Sequence, residues 1–472
     1  MNDSSASDGA KTPQSLFASR RKLYVRAVKG TFQNWRVALV IFTQIVFLGL
    51  PWLTWGDRQA FLLDLVSRKF YLFGVVFWPQ DIIYLTAVLI VSAYSLFLFT
   101  AIAGRLWCGY ACPQTVYTEL LMWIEHAVEG NRNARMKLDA APWSANKVTR
   151  KLLKHGLWLL VALWTGVTFV GYFTPIRQLV TLLPFGVSGW SLFWILFYGG
   201  MVYFLAGLLR EQVCKYMCPY ARFQSAMFDR DTMIITYDAA RGEPRGARNR
   251  KTDLKEAQLG HCIDCDLCIQ ACPTGIDIRN GLQYECIGCA ACIDACDEVM
   301  KKMNYPLGLV RYTTENAIAG GYSKKEIWRR MFRLRTLIYA TILLAIIMAV
   351  AVSLWSRNAL KVDVLRDRGV MAREASPGVI ENVYRLQIIN TDERAHQFII
   401  EAAGLPGMEI GGIEQPISVD GASRRTVPLS VRFKLPREGW EPGMYPMKFT
   451  VQATGEKALQ REEKSTFMVP EN

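Results

Sequence analysis

Five long apolar runs, eight cysteines within 35 residues and a C-terminal tract of short alternating segments together predict a multi-domain membrane protein. Its expected parts are an α-helical transmembrane bundle of about five spans, a small cysteine-rich domain, and a C-terminal immunoglobulin-like β-sandwich. At 472 residues the chain has room for two or three domains.

The apolar runs are Val37 to Trp55, Ile82 to Ala103, Leu157 to Phe173, Leu192 to Leu209 and Leu337 to Trp355, and none contains Lys, Arg, Asp or Glu. A bilayer-crossing helix needs about 20 such residues. A buried core helix is the alternative for any one of them, but five uncharged runs in one chain argue for a membrane.

Basic residues set the orientation. Seven occur in residues 1–36, eight in 104–156 and twenty in 210–336, against three in 56–81 and only Arg177 in 174–191. Excess Lys and Arg mark cytoplasmic loops, so the N-terminus is expected inside and, after five spans, the C-terminus in the periplasm. The net charge of +14 is therefore topological. It does not form a groove with interleaved aromatics, so no nucleic-acid partner is expected. The first 36 residues are polar and Val37 to Trp55 is too long for a signal core, so the first span is expected to remain as an anchor.

Within the segment assigned to the cytoplasm, Cys262, Cys265, Cys268 and Cys272 form C-x2-C-x2-C-x3-C-P, and Cys286, Cys289, Cys292 and Cys296 repeat the spacing 24 residues later. Cytoplasmic thiols are kept reduced, which favours metal binding over disulfides. Zinc sites pair two C-x2-C units across a longer gap, whereas three cysteines at two-residue intervals with a remote fourth is the bacterial two-cluster ferredoxin pattern. In that pattern the fourth cysteine crosses over. Cys262, Cys265, Cys268 and Cys296 would hold one [4Fe–4S] cluster, and Cys286, Cys289, Cys292 and Cys272 the other.

The four remaining cysteines form two C-x3-C-P units, 105-RLWCGYACPQTVYTE-119 after the second span and 210-REQVCKYMCPYARFQ-224 after the fourth. Residues four apart share a helical face, so Cys108 is expected to aim with Cys112, and Cys214 with Cys218. Pro113 and Pro219 suit the first turn of a following helix. Four thiols at the membrane edge could bind Cu(I), hold a further iron–sulfur cluster, or cycle between dithiol and disulfide. Soft sulfur ligands favour Cu(I) over Cu(II), so a thiol site fed with electrons would reduce cupric ion and retain the product. The pattern also leaves open a homodimer in which two chains complete the site.

The double cysteine run, the two C-x3-C-P units and 304-NYPLGLVRYTTEN-316 together resemble the FixG family, also called CcoG or RdxB, the cytochrome c oxidase accessory proteins. The likeness runs from about Arg26 to the final domain. The resemblance implies a cupric reductase of the bacterial inner membrane that prepares Cu(I) for cbb3-type cytochrome oxidase. It makes Cys108, Cys112, Cys214 and Cys218 the copper-handling residues and the eight clustered cysteines the electron path. A copper chaperone or oxidase subunits would be partners, beside an unidentified electron donor. The C-x3-C-P element also occurs in ferredoxin-type membrane proteins of nitrate and nitrous-oxide respiration. These imply a rival reading, electron exchange with the quinone pool without copper chemistry. In a third, structural reading the clusters are folding staples of an assembly scaffold.

No P-loop, nucleophile elbow or dinucleotide-binding order is present, so electrons must come from a partner. Beyond Trp355, runs such as 383-VYRLQII-389, 396-HQFIIEA-402, 426-TVPLSVRF-433 and 444-MYPMKFTV-451 alternate between turn signals, as strands of a sandwich do. The expected domains are a cytoplasmic tail (1–36), the transmembrane region with both C-x3-C-P units (37–240), a basic linker (241–261) and the ferredoxin domain (262–300). An amphipathic segment with the last span (301–355) and the periplasmic β-sandwich (356–472) complete the chain.

Overall fold

The computed structural model describes residues 22–470 apart from 184–185, 251, 253, 255, 367–371, 435–440 and 456–458, and omits the side chains of Ser225 and Lys324. Five helical segments are long and apolar enough to cross a membrane: Thr31–Trp52, Pro79–Ala103, Ala145–Val170, Gly189–Leu209 and Leu334–Trp355. The third begins twelve residues before the apolar run. Its added turns carry Lys147, Lys151 and Lys154, and Lys151 and Lys154 pair with the buried Glu129 at 2.8 and 2.9 Å, which keeps a charged stretch helical. The fourth span changes from an α-helix, Gly189–Val202, to a π-helix, Tyr203–Leu209.

The chain divides into two compact units. The first comprises Met1–Phe42, Phe99–Ala162 and Gly200–Arg333. It contains all twelve cysteines. Strands Ile234–Tyr237 and Val310–Thr313 pair antiparallel and frame the eight-cysteine segment, so the ferredoxin module reaches past the expected limits of 262–300. The segment expected as a linker is tied to this module. Arg241 donates to the carbonyls of Pro306 and Leu307, and Arg248 to those of Gly260 and Cys262.

Residues 22–30, part of the expected N-terminal tail, also lie against the module. Arg26 N–H donates to the Gln270 carbonyl at 2.8 Å, and Val28 packs against the cluster of Ala271, Ile287 and Ala291. The first membrane helix is capped by a remote residue: the Asp294 carboxylate accepts from the N–H groups of Phe32 and Gln33 at 3.3 and 2.7 Å. A carboxylate there satisfies orphan donors and complements the helix dipole.

The second unit comprises Thr43–Leu98, Leu163–Gly199 and Leu334–Asn472. Two antiparallel sheets form its C-terminal part. One is ordered Glu409–Gly411, Ser423–Lys434, Val379–Asn390, Leu360–Arg366; the other Ile417–Val419, His396–Ala403, Gly443–Ala453, Gln460–Val469. Each of the four runs read as strands lies inside one of these. Their alternating inward residues, Tyr384, Leu386 and Ile388 from the first sheet and Phe398, Ile400, Phe449 and Phe467 from the second, make one buried core. The segment 56–81 between the first two spans folds into a three-stranded antiparallel sheet, Phe61–Asp64, Lys69–Leu72 and Val75–Phe77.

Candidate iron–sulfur centre and thiol site

Each cysteine run wraps itself by the same backbone device. The residues on either side of the middle cysteine have positive φ: Asp264 (54°) and Asp266 (55°) around Cys265, Gly288 (67°) and Ala290 (60°) around Cys289. This conformation is unfavourable for residues with a side chain, so something must hold it. In the first run Arg279 does so, pairing with Asp264 at 2.6 Å, Asp266 at 2.8 Å and Asp277 at 2.8 Å. In the second run Ala290 is fully buried. Each wrap ends in a helix, Leu267–Ala271 or Ala291–Met303.

Two apolar cavities result. Cys262, Cys265, Cys268 and Cys296 line one, beside Leu267, Val299 and Leu309. Cys272, Cys286, Cys289 and Cys292 line the other, to which Cys268 also contributes. The fourth cysteine of each run therefore faces the cavity of the other run. Burial pushes the thiols of Cys268, Cys286 and Cys296 up to about 12, and those of Cys289 and Cys292 are raised for the same reason. Thiols this basic give up their protons to a metal rather than to water. Among the described residues no three Cys, His, Asp or Glu side chains converge tightly enough to hold a single metal ion. The donor set and the apolar lining fit [4Fe–4S] groups.

The C-x3-C-P units flank the second cavity. Cys108 lies in the helix Leu106–Tyr110, whereas Cys112 sits beyond its end as N-cap of the helix Pro113–Glu129. Cys214 lies in a π-helical turn, Val213–Met217, and Cys218 caps Pro219–Ala226. The expectation that each pair shares one helical face is thus corrected: Pro113 and Pro219 start new helices, and the second cysteine of each pair belongs to the new one. The four thiols lie within electrostatic reach of one another but do not converge as a ready set of metal ligands. Burial raises Cys108 to about 12 and Cys214 to about 11, each pushed further by Cys112 and Cys218, while the Arg105 guanidinium opposes the rise.

Three residues that the cysteine pattern did not single out join this thiol group to the ferredoxin module. The buried Arg105 donates to the carbonyls of Tyr284 and of Cys286, the latter at 3.2 Å, and through Nε to Gln224 Oε1 at 3.3 Å. The same Gln224 oxygen accepts from the Cys108 thiol at 3.2 Å. Gly109 meets the second run backbone to backbone, and a Cβ there would lie 2.8 Å from the Cα and N of Cys289. Cys108 and Cys214 accordingly pack with Ile287 and Cys289 in one apolar cluster. Arg105 could be anticipated from the basic residue that precedes each unit. Gln224 carries no such signal, since only folding brings it back to Cys108.

Membrane-length helices carrying a ferredoxin-type double cysteine run define an iron–sulfur electron-transfer protein of the membrane. Comparison with known proteins agrees. Residues 209–315 match the 4Fe-4S dicluster domain family, residues 85–130 a 4Fe-4S binding domain family, and residues 350–470 the "IG-like fold at C-terminal of FixG". The nitrogen fixation protein FixG of Rhizobium meliloti is 34% identical over 92% of this chain and 90% of its own length. Proteins RdxA and RdxB of Cereibacter sphaeroides are 37% and 40% identical, over 88% and 82% of this chain and 88% and 83% of theirs. The chain belongs to the FixG family.

Proposed function

We propose that this chain is a cupric reductase of the bacterial inner membrane. Cys262, Cys265, Cys268 and Cys296 would hold one [4Fe–4S] cluster and Cys272, Cys286, Cys289 and Cys292 the other. Bound there, such clusters supply reversible one-electron transfer. Cu(II), the substrate, meets Cys108, Cys112, Cys214 and Cys218, takes one electron, and is retained as Cu(I) by the soft thiolates it has displaced from their protons. The observation that carries this reading is the contact of Cys108 and Cys214 with Cys289 in one buried cluster, bridged by Arg105 and Gln224. Assembly of a cbb3-type oxidase, with a copper chaperone or oxidase subunits receiving the Cu(I), is the role the family resemblance implies.

A second reading follows from the 4Fe-4S match over residues 85–130, which covers Cys108 and Cys112. There the four thiols hold a further cluster and the protein passes electrons without copper chemistry. One experiment separates the two. Cu(II) reduction by dithionite-reduced protein is compared between wild type and Cys108→Ala/Cys214→Ala, with iron counted and cluster EPR recorded. Retention of about eight irons, as two [4Fe–4S] clusters require, with loss of cupric reduction supports the reductase. A wild type with more iron than that, and a variant that loses the excess, supports the further cluster.

A further inference from the structure

The second unit contains a cationic cavity unrelated to the cysteines. Its walls include Arg68 and Lys69 from the three-stranded sheet, Arg424 from the strand Ser423–Lys434, and Trp78, Pro79 and Gln80 at the start of the second span. Among the described residues three cations line it and no carboxylate does. Two acids lie nearby, and of these Asp64 faces Lys69 across the strand pair. Asp64 accepts from the N–H groups of Val66 and Ser67, each at 3.0 Å, and Asp81 is paired with Arg357 at 2.7 Å and with Lys361.

The floor is rigid. Trp78 is buried with Val76 and Ile389, and Lys69 lies over its ring at 4.9 Å while donating to the Ala422 carbonyl at 2.8 Å. Yet the buried Trp78 Nε1–H has no acceptor among the described residues, and neither the Arg68 nor the Arg424 guanidinium has a hydrogen-bond or ion-pair partner there. Three cations around a cavity with no carboxylate among its described lining residues suit a phosphate oxyanion.

Position says which phosphate. Pro79 and Gln80 are the first residues of a membrane span, which sets the cavity at headgroup depth. The turn beside Arg68 presents Leu65 and Val66, 60% and 97% exposed, an apolar tip that water does not favour but the acyl boundary does. We propose that this cavity binds the phosphate headgroup of an anionic phospholipid and anchors the second unit to the bilayer surface.

The test uses the full-length protein in detergent, followed by native mass spectrometry during titration with phosphatidylglycerol, phosphatidylcholine or inorganic phosphate. Wild type is expected to hold phosphatidylglycerol in preference to phosphatidylcholine. Arg68→Gln/Arg424→Gln should weaken phosphatidylglycerol by about fivefold per charge removed, at about 1 kcal/mol each, and leave phosphatidylcholine unchanged. Arg424→Gln alone, at a side chain with no partner among the described residues, should weaken it by about fivefold and keeps the question open to measurement if the double variant misfolds. Equal phosphatidylglycerol affinity in wild type and a folded variant overturns the proposal. Inorganic phosphate binding alone with the same dependence on Arg68 and Arg424, and no lipid preference, replaces the lipid with free phosphate and overturns the anchoring role.

Discussion

Gly109 shows how narrow the connection between the two cysteine systems is. It lies between Cys108 and Cys112, and the backbone of Cys289 occupies the space a side chain would need. Gly109→Ala is expected to push the helix Leu106–Tyr110 off the second cysteine run, costing about 1–3 kcal/mol and slowing Cu(II) reduction while the iron count holds. Thermal unfolding and cupric reduction by the same preparation check this, and an unchanged rate would show that the close approach is dispensable. The two ferredoxin-type cysteine runs were legible in the sequence because cluster-binding cysteines are recognised by their spacing. Gly109 and Gln224 were not, since their roles depend on a neighbour more than a hundred residues away in the chain.

At the scale of elements, the helix Pro113–Glu129 ties the two C-x3-C-P units together. Its buried Glu125 meets Arg210, which precedes the second unit, at 2.5 Å, and Arg135 at 3.5 Å. Breaking such a buried pair strands a charge, so Glu125→Gln is expected to cost about 3–5 kcal/mol. Burial by itself would raise the Glu125 carboxyl, but the Arg210 and Arg135 guanidiniums outweigh it and hold the group below its ordinary 4.5. A depressed carboxylate stabilises the fold fully above about pH 4.5, and that contribution is lost as the pH falls through the folded value. Unfolding temperatures of wild type and Glu125→Gln should therefore differ most at neutral pH and converge on acidification. Curves that stay parallel would remove the ion pair from the stability of this helix. The four read strands were predictable to within a few residues and all five spans in place, but the third span starts twelve residues before its apolar run. The π-helical turns and the sheet in 56–81 were not, because short segments take their shape from what they pack against.

For the whole molecule, the distribution of Lys and Arg makes one claim that can be measured directly. Five spans with basic residues concentrated in 1–36, 104–156 and 210–336 should leave the C-terminal domain on the opposite side of the membrane from the cysteines. Alkaline phosphatase fused after Asn472 should be active and a fluorescent protein fused there dark, with the reverse for fusions in 241–256. The opposite result would invert the topology and place the thiol site in the periplasm.

The sequence by itself determined the membrane spans, the ferredoxin spacing and the alternating strands, because each is a local periodicity that hydrophobic burial or metal coordination imposes on neighbouring residues. Only the tertiary structure decided that residues 22–30 and 241–250 lie against the module and that Arg105 and Gln224 join the thiols to it. Those contacts link residues far apart in the chain. Their energies depend on burial and shape complementarity, which no spacing encodes.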